Sequence, residues 1–347
     1  MTLVLGADQL AELVGTVDVL GAVEAIFADL GTGSMRQPAP TTLAAAGGGN
    51  ASGGDAILLP MVARSDRLGL AAVKLMADIP ENAGRNLPTQ RSTIMVTSVE
   101  TGECIAVLDG AIITRMRTAA ASAVATRHLA RPESRVLGLI GAGNLAIEHV
   151  RALRATTGID EIVVWSRSAA TIERFRVALD SGLRSMTVAA DPRSVVENCD
   201  VLCTLTPSVE PIIEGDWLHP GQHVNAVGAR PRPTHRELDG AAIARGTLIV
   251  DSAATALAKS GDLLQAIADG AVPADASLRE LGAVIAGIEP GRVSDDEITV
   301  FNSVGLAAQD LAVAAEVIEL ARHRGCGTEI AISAAPSFGW NRPAVNA

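Results

Sequence analysis

The residues best suited to chemistry begin with Gly141-Ala142-Gly143-Asn144-Leu145-Ala146, which follows the apolar run Val136-Leu137-Gly138-Leu139-Ile140. This is a G-x-G-x-x-A fingerprint. Gly141 would permit a tight turn off a buried strand, Gly143 would let backbone approach a pyrophosphate, and Ala146 is small enough for close helix–strand packing. A helix starting near Asn144 would aim free N–H groups at phosphates. About twenty residues on, where an acidic residue would bond a ribose 2′-hydroxyl, the chain has Ser166-Arg167-Ser168. An arginine between two hydroxyls suits a 2′-phosphate, so NADP(H) is expected over NAD(H), with NAD(H) still possible. The alternative is a solvated loop arginine.

Lys74 interrupts the apolar stretch LGLAAVKLM. It either snorkels to solvent or faces a site, where it would hold a carboxylate or deliver a proton. Arg115 and Arg117 precede Thr118-Ala119-Ala120 at an expected helix start. A forked guanidinium beside helix N–H groups suits an anion, and an interdomain salt bridge is the plainer alternative. Thr204 and Thr206 end one strand-like run, Asn225 to Arg230 (with Val227) another, and Asp251-Ser252 a third. In a doubly wound sheet these carboxyl ends border the ligand. His149 and His235 read as structural or solvated, and no Ser/His/Asp triad or metal-ligand cluster is visible, so no metal is expected.

The elements that must position these residues follow from periodicity. Residues 136–140, 161–166, 186–189, 200–205, 222–227 and 247–251 read as strands, with helices such as 169–181 and 236–244 among them, an alternation that implies a parallel doubly wound sheet. Before it, helical periodicity over 8–30 breaks near Gly15, residues 37–55 form a loop, and 56–62, 68–76, 92–98 and 105–108 are strands. Several strands without long helices between them suggest a mostly antiparallel sheet. A long alanine-rich helix over 114–129, capped by Thr114, leads into the nucleotide-binding part. A strand at 298–301 and a helix over 304–324 close the chain back onto the first domain. The expected architecture is α/β: a Rossmann domain (128–304) inserted into a mostly antiparallel α+β substrate and dimerisation domain (1–127 plus 305–347).

Composition narrows the class. At 347 residues with 48% hydrophobic content, two cores are affordable in size, and a net charge of −11 argues against nucleic acid or an anionic membrane as partner. There is no basic leader and no run long enough to span a bilayer, so a cytoplasmic location is expected. Cys104, Cys199, Cys203 and Cys326 read as buried thiols rather than metal ligands. With no tyrosine in the chain, a tyrosine acid is excluded.

Taken together, the motifs resemble the ornithine cyclodeaminase/mu-crystallin family. The matching stretches are Lys74 with Pro80-Glu81-Asn82, Thr114-Arg115-Met116-Arg117-Thr118-Ala119-Ala120, the fingerprint, Thr204-Leu205-Thr206-Pro207 and Asn225-Ala226-Val227-Gly228. Arg236-Glu237-Leu238, Val250-Asp251-Ser252, Gly291-Arg292-Val293-Ser294, Phe301-Asn302-Ser303-Val304-Gly305 and Gln309-Asp310 continue the series. The resemblance implies a homodimer and substrates that are α-amino acids or their imino and keto counterparts. It places the substrate carboxylate on Lys74 and Arg117. For delivering a proton, Lys74 is the first candidate and Asp310 the second, with a structural helix residue as the plainer reading of Asp310. Cofactor contacts are expected from Thr118, Gly141, Gly143, Asn144, Leu145, Ser166, Arg167, Ser168, Thr204, Thr206, Val227, Ser303 and Gly305, the resemblance supporting Ser166 to Ser168, Ser303 and Gly305 in particular. Two departures stand out. The aspartate that cyclodeaminases carry after the Val-Gly pair is replaced by Ala229-Arg230, and Pro40 stands where an arginine often follows a Gln-Pro pair. The expected activity is NAD(P)H-dependent reduction of α-imino acids, nearer the ketimine reductase and amino-acid dehydrogenase branch. The alternatives are an ornithine or lysine cyclodeaminase with catalytic NAD, and an NADP-binding protein without turnover.

Overall fold

The structure is a computed structural model that describes residues 1–44, 56–179 and 183–332. The connection expected over the Gly/Ala/Ser-rich residues 45–55, the end of the helix expected over 169–181 and the tail beyond 332 lie outside these residues.

Two sheets of eight strands carry the fold. The first is mixed and mostly antiparallel. Strands Ile57–Ser65, Leu70–Asp78, Gln90–Ser98 and Cys104–Asp109 form its antiparallel centre. Thr2–Leu5 joins Cys104–Asp109 in parallel, and Thr328–Ile330 adds to Thr2–Leu5 in antiparallel fashion, which brings the chain's end back to its start. Burial alternates along Ile57–Ser65, so Ile57, Leu59, Met61 and Ala63 face the core while Leu58 and Val62 face out. That period of two is the mark of a half-covered sheet. Lys74 lies opposite Met61 and Ile94 and therefore points to the same inner face.

The second sheet is wholly parallel. Its order runs Ser185–Val188, Glu161–Trp165, Val136–Ile140, Val201–Thr204, His223–Ala226, Thr299–Asn302, Thr247–Val250 and Arg279–Glu280. The order reverses between Val136–Ile140 and Val201–Thr204, the switch point at which doubly wound sheets bind ligands. Val201–Thr204 and His223–Ala226 are buried throughout, as strands covered on both faces must be.

Two long helices join the layers. Gly110–Leu129 is capped by Asp109, whose carboxylate accepts from the Ala111 N–H, so it starts four residues before the expected Thr114. Thr114 instead sits in the second turn and donates its hydroxyl to the Gly110 carbonyl. The closing helix, Ala307–Arg324, starts three residues later than expected. Gly305 has φ of 88° and the Val304 and Gly305 N–H groups are tied to Asp251, so helix cannot form there. The helix expected over 236–244 is Gly240–Arg245. Leu238 is bridged to Ile213, and Asp239 caps the Ala242 N–H. Phe27, from the helix Val19–Thr32, meets Phe301 of the parallel sheet edge-on at 6.5 Å. The core of the first sheet thus includes Ile249, Leu281, Val284 and Phe301 from the other half.

Candidate active site

The fingerprint turn has the geometry that its glycines imply. Gly141 adopts φ of 108°, its N–H donates to the Trp165 carbonyl, and a Cβ there would lie 2.9 Å from the Leu205 carbonyl oxygen. Gly143 is the N-cap of the helix Asn144–Thr156, with no side chain capping it and open space where a Cβ would be. Uncapped N–H groups beside open space are what a pyrophosphate requires, so these residues fit a dinucleotide. At the end of the adjacent strand, Ser168 caps the helix Ala169–Ala178 through the Thr171 N–H, and Ser166 Oγ accepts from the Ser168 N–H. Arg167 is exposed and makes no ion pair among the described residues.

A cavity of about 610 Å³ opens between the two sheets. Lys74, Arg117, Thr118, Asn144, Leu145, Val227, Ser303 and Gly305 line it, together with Pro40, Arg115, Arg230 and Lys259. Gly141, Gly143 and Ser166 to Ser168 lie outside this lining. Thr204 and Thr206 are also outside it. Thr204 is fully buried, and Thr206 turns its N–H and hydroxyl to Glu237.

At the cavity floor two cations share one carboxylate. Lys74 Nζ donates to Asp310 Oδ1 and Oδ2 at 3.0 and 3.1 Å, and to Thr114 Oγ1 at 2.7 Å. Arg117 Nε donates to Asp310 Oδ1 at 3.2 Å, and its Nη1 donates to Gln309 Oε1 at 2.7 Å. Arg117 Nη2 makes no hydrogen bond among the described residues. Asp310 is fully buried and Lys74 is 2% exposed. Lys74 therefore does not snorkel. Burial lowers its pKa to about 8, opposed by Asp310 and aided by Arg117. Arg117 lies two turns into its helix, so its partners are Asp310 and Gln309 rather than free helix N–H groups. Gly305 favours glycine, because its φ of 88° lies in the left-handed region and a Cβ there would stand 2.6 Å from Arg117 Nη1, so the guanidinium would have to shift.

Two buried acids shape the loops around the cavity. Asp251 Oδ2 accepts from Ser303 Oγ and from the Val304 and Gly305 N–H groups, and burial pushes its carboxyl up to about 6. Glu237 accepts from the Thr206 N–H and hydroxyl and from the Gly228 N–H, and burial with Asp262 nearby pushes it up to about 7. The segment after Gly228 turns outward to the first sheet. Arg230 and Arg232 both donate to the fully buried Asp78, at 3.1 Å and 2.6 Å.

Sequence reasoning did not foresee this clasp, because its partners are about 150 residues apart and no local pattern links them. Nor did it single out Lys259. Glu237 was visible only as a member of a motif, and Asp251 as a residue at the carboxyl end of a strand. His149 is structural as expected: its ring bridges Ser122 Oγ and the Leu145 carbonyl, and burial lowers its pKa to about 4. Burial raises the Cys199 thiol to about 12 and raises Cys203 further, which makes both inert. Among the described residues no cluster could hold a metal.

A parallel dinucleotide-binding sheet facing a separate, mostly antiparallel sheet, with a cationic floor between them, defines a two-domain nicotinamide-dependent oxidoreductase. The comparisons refine this class. The model of the ornithine cyclodeaminase/mu-crystallin family matches residues 1–325, and the chain belongs to that family. Ketimine reductase mu-crystallin of Rattus norvegicus is 36% identical over 241 residues, 70% of this chain and 73% of that protein. The structure of Thermococcus litoralis Delta(1)-pyrroline-2-carboxylate reductase with NADH and L-proline superposes with a TM-score of 0.87, at 30% identity, covering 95% of this chain and all of that one. An archaeal alanine dehydrogenase dimer with bound NAD gives 0.86 at 32% identity, covering 95% and 99%.

Proposed function

We propose that the chain reduces α-imino acids to α-amino acids with NADPH, using NADH less well. One observation carries this reading. Lys74 and Arg117 are buried with a single carboxylate between them, so the floor keeps a net positive charge that a substrate carboxylate would neutralise. Asn144, Leu145, Val227, Ser303 and Gly305 line the same cavity, so the fingerprint helix and the nicotinamide-side loops meet that floor.

The bound cofactor supplies a hydride. The chain's own residues bind, orient and protonate. Gly141, Gly143, Asn144 and Leu145 would hold the pyrophosphate, and Ser166, Arg167 and Ser168 the 2′-phosphate. Thr118, Val227, Ser303 and Gly305 would flank the nicotinamide end, with Thr204 and Thr206 acting by shaping that wall. Arg117 Nη2 and Lys74 Nζ anchor the carboxylate and fix which face of the C=N bond is presented. Lys74 Nζ is the proton source for the nitrogen, and Asp310 holds it as an ammonium in place. As the C=N bond is reduced, carbon gains the hydride and nitrogen keeps or gains the proton.

The position that follows Gly228 supports reduction over cyclodeamination. It holds Ala229 and Arg230, and Arg230 is engaged by Asp78, so it offers no carboxylate to a substrate amine. The active form is a homodimer. Leu58, Val62, Leu75 and Met95, each at least 40% exposed, lie on the outer face of adjacent strands of the first sheet. A contiguous apolar sheet face of this kind calls for a partner, and a second copy of the chain supplies the matching surface.

Deuterium tracing tests the reaction. With NADPH deuterated at C4 and an imine formed from an α-keto acid and ammonia, the label should appear at Cα of the amino acid by mass spectrometry. Label that stays on the cofactor while ornithine or lysine loses ammonia would contradict the reading.

A further inference from the structure

The cavity carries more positive charge than one carboxylate can use. Its lining includes Lys74, Arg91, Arg115, Arg117, Arg230 and Lys259 and, among the described residues, no aspartate or glutamate, although the chain's net charge is −11. Lys74 and Arg117 share Asp310, Arg230 shares Asp78 with Arg232, and Arg91 is exposed at the rim. Two cations remain.

Lys259 ends the helix Ala253–Lys259 and is only 8% exposed. Its one hydrogen bond among the described residues goes to the Thr42 hydroxyl, and it forms no ion pair there. Burial lowers its pKa. Arg115 is half-buried and has neither a hydrogen bond nor an ion pair among the described residues. An ammonium taken out of water with only a hydroxyl beside it pays desolvation without Coulombic return. The cofactor's 2′-phosphate does not supply that return, because Ser166 to Ser168 lie outside this cavity, and the pyrophosphate has its own donors in the uncapped helix start at Asn144 and Leu145.

We infer that Lys259 and Arg115 form a second anion subsite, and that the preferred substrate is an α-imino acid bearing a second carboxylate on its side chain. This rests on the reading of the cavity as an imino-acid site. The first carboxylate occupies the Lys74–Arg117 floor and the second meets Lys259. Lysine suits that role because its single point charge tolerates side chains of slightly different length, whereas Arg117 imposes a planar fork at the reacting end.

Two arms of one experiment test this. In the kinetic arm, NADPH oxidation is followed with ammonia and either 2-oxoglutarate or 2-oxopentanoate, which differ by the second carboxylate on a five-carbon chain. In the binding arm, NADPH-loaded protein is titrated with glutarate or pentanoate by calorimetry. The diacid is expected to be favoured on the order of 10- to 100-fold in both arms, as a charge-assisted bond would give. Lys259→Gln should remove most of that preference and Lys259→Arg should keep it, with circular dichroism showing that both variants fold. Equal treatment of diacid and monoacid by the wild type, or a preference that survives in Lys259→Gln, overturns the subsite and leaves imine reduction standing. A Lys259→Gln variant that binds NADPH more weakly yet still prefers the diacid also overturns it. Lys259-dependent glutarate binding with no imine consumed keeps the anion subsite and overturns its use in imine reduction.

Discussion

At the scale of single residues, the site rests on one buried carboxylate between two cations. Lys74 has a lowered pKa of about 8, so its ammonium is full below that pH and falls about tenfold per unit above it. If the ammonium anchors and protonates, kcat/KM for reduction should decline above about pH 8. In Lys74→Arg the declining limb should disappear from a pH–rate profile, because a guanidinium keeps its proton, although the overall rate falls. A profile in which Lys74→Arg retains the same limb would assign it to another group. Removing Asp310's charge has a different consequence. Asp310→Asn leaves two buried cations without a counter-charge, and breaking such a pair costs about 3–5 kcal/mol. Denaturant unfolding should show a loss of that size. A loss below about 1 kcal/mol would mean the cations find other partners.

At the scale of elements, the loops matter more than the strands they end. Gly305→Ala would place a methyl at φ of 88° and against the Arg117 guanidinium. Backbone strain of that kind costs on the order of 1–3 kcal/mol. A kcat/KM loss that exceeds the loss in stability is expected, because Arg117 must move. On the proposed reading, the Ser166-Arg167-Ser168 turn sets the cofactor preference. Arg167→Asp should raise KM for NADPH at least tenfold and leave or lower that for NADH, measured in parallel assays. Equal effects on both cofactors would mean that Arg167 is a solvated loop residue.

Much of this scale was legible in the sequence. Most of the parallel strands were readable because both faces are buried, which produces apolar runs such as Val201-Leu202-Cys203. The fingerprint was readable because its glycines answer to local backbone needs. Helix starts were less so. Asp109 caps Gly110–Leu129, but an Asp-Gly pair after a strand also reads as a turn, and Thr114 looked like the better cap. What could not be read was long-range pairing. Lys74 with Asp310, Asp78 with Arg230 and Arg232, and Lys259 with Thr42 join residues between about 150 and 240 positions apart. Lys74 and Asp310 were singled out separately, but nothing local showed that they form an ion pair.

At the scale of the whole molecule, two halves of different character face one cavity. Phe27 against Phe301, and Asp78 with Arg230 and Arg232, fasten them together. No helix among the described residues is long and apolar enough to cross a membrane. The outer face of the first sheet is where a second copy should sit. Leu75→Arg places a charge in that face while its neighbours in the core are untouched, since Leu75 is 45% exposed. Analytical ultracentrifugation should show a dimer for the wild type and a shift to monomer for this variant. A wild-type monomer, or a variant dimer of undiminished affinity, would assign that face another role.

The measurement that bears most directly on function follows NADPH absorbance with purified protein. The substrates are cyclic ketimine carboxylates and α-keto acids with ammonia or amines, and NADH is run beside NADPH. Stoichiometric NADPH oxidation with one class of imine, faster than with NADH, is the expected result. Tight NADPH binding with no oxidation across the whole panel, or ammonia released from ornithine or lysine with the cofactor unchanged, would contradict the assignment of an imine reductase.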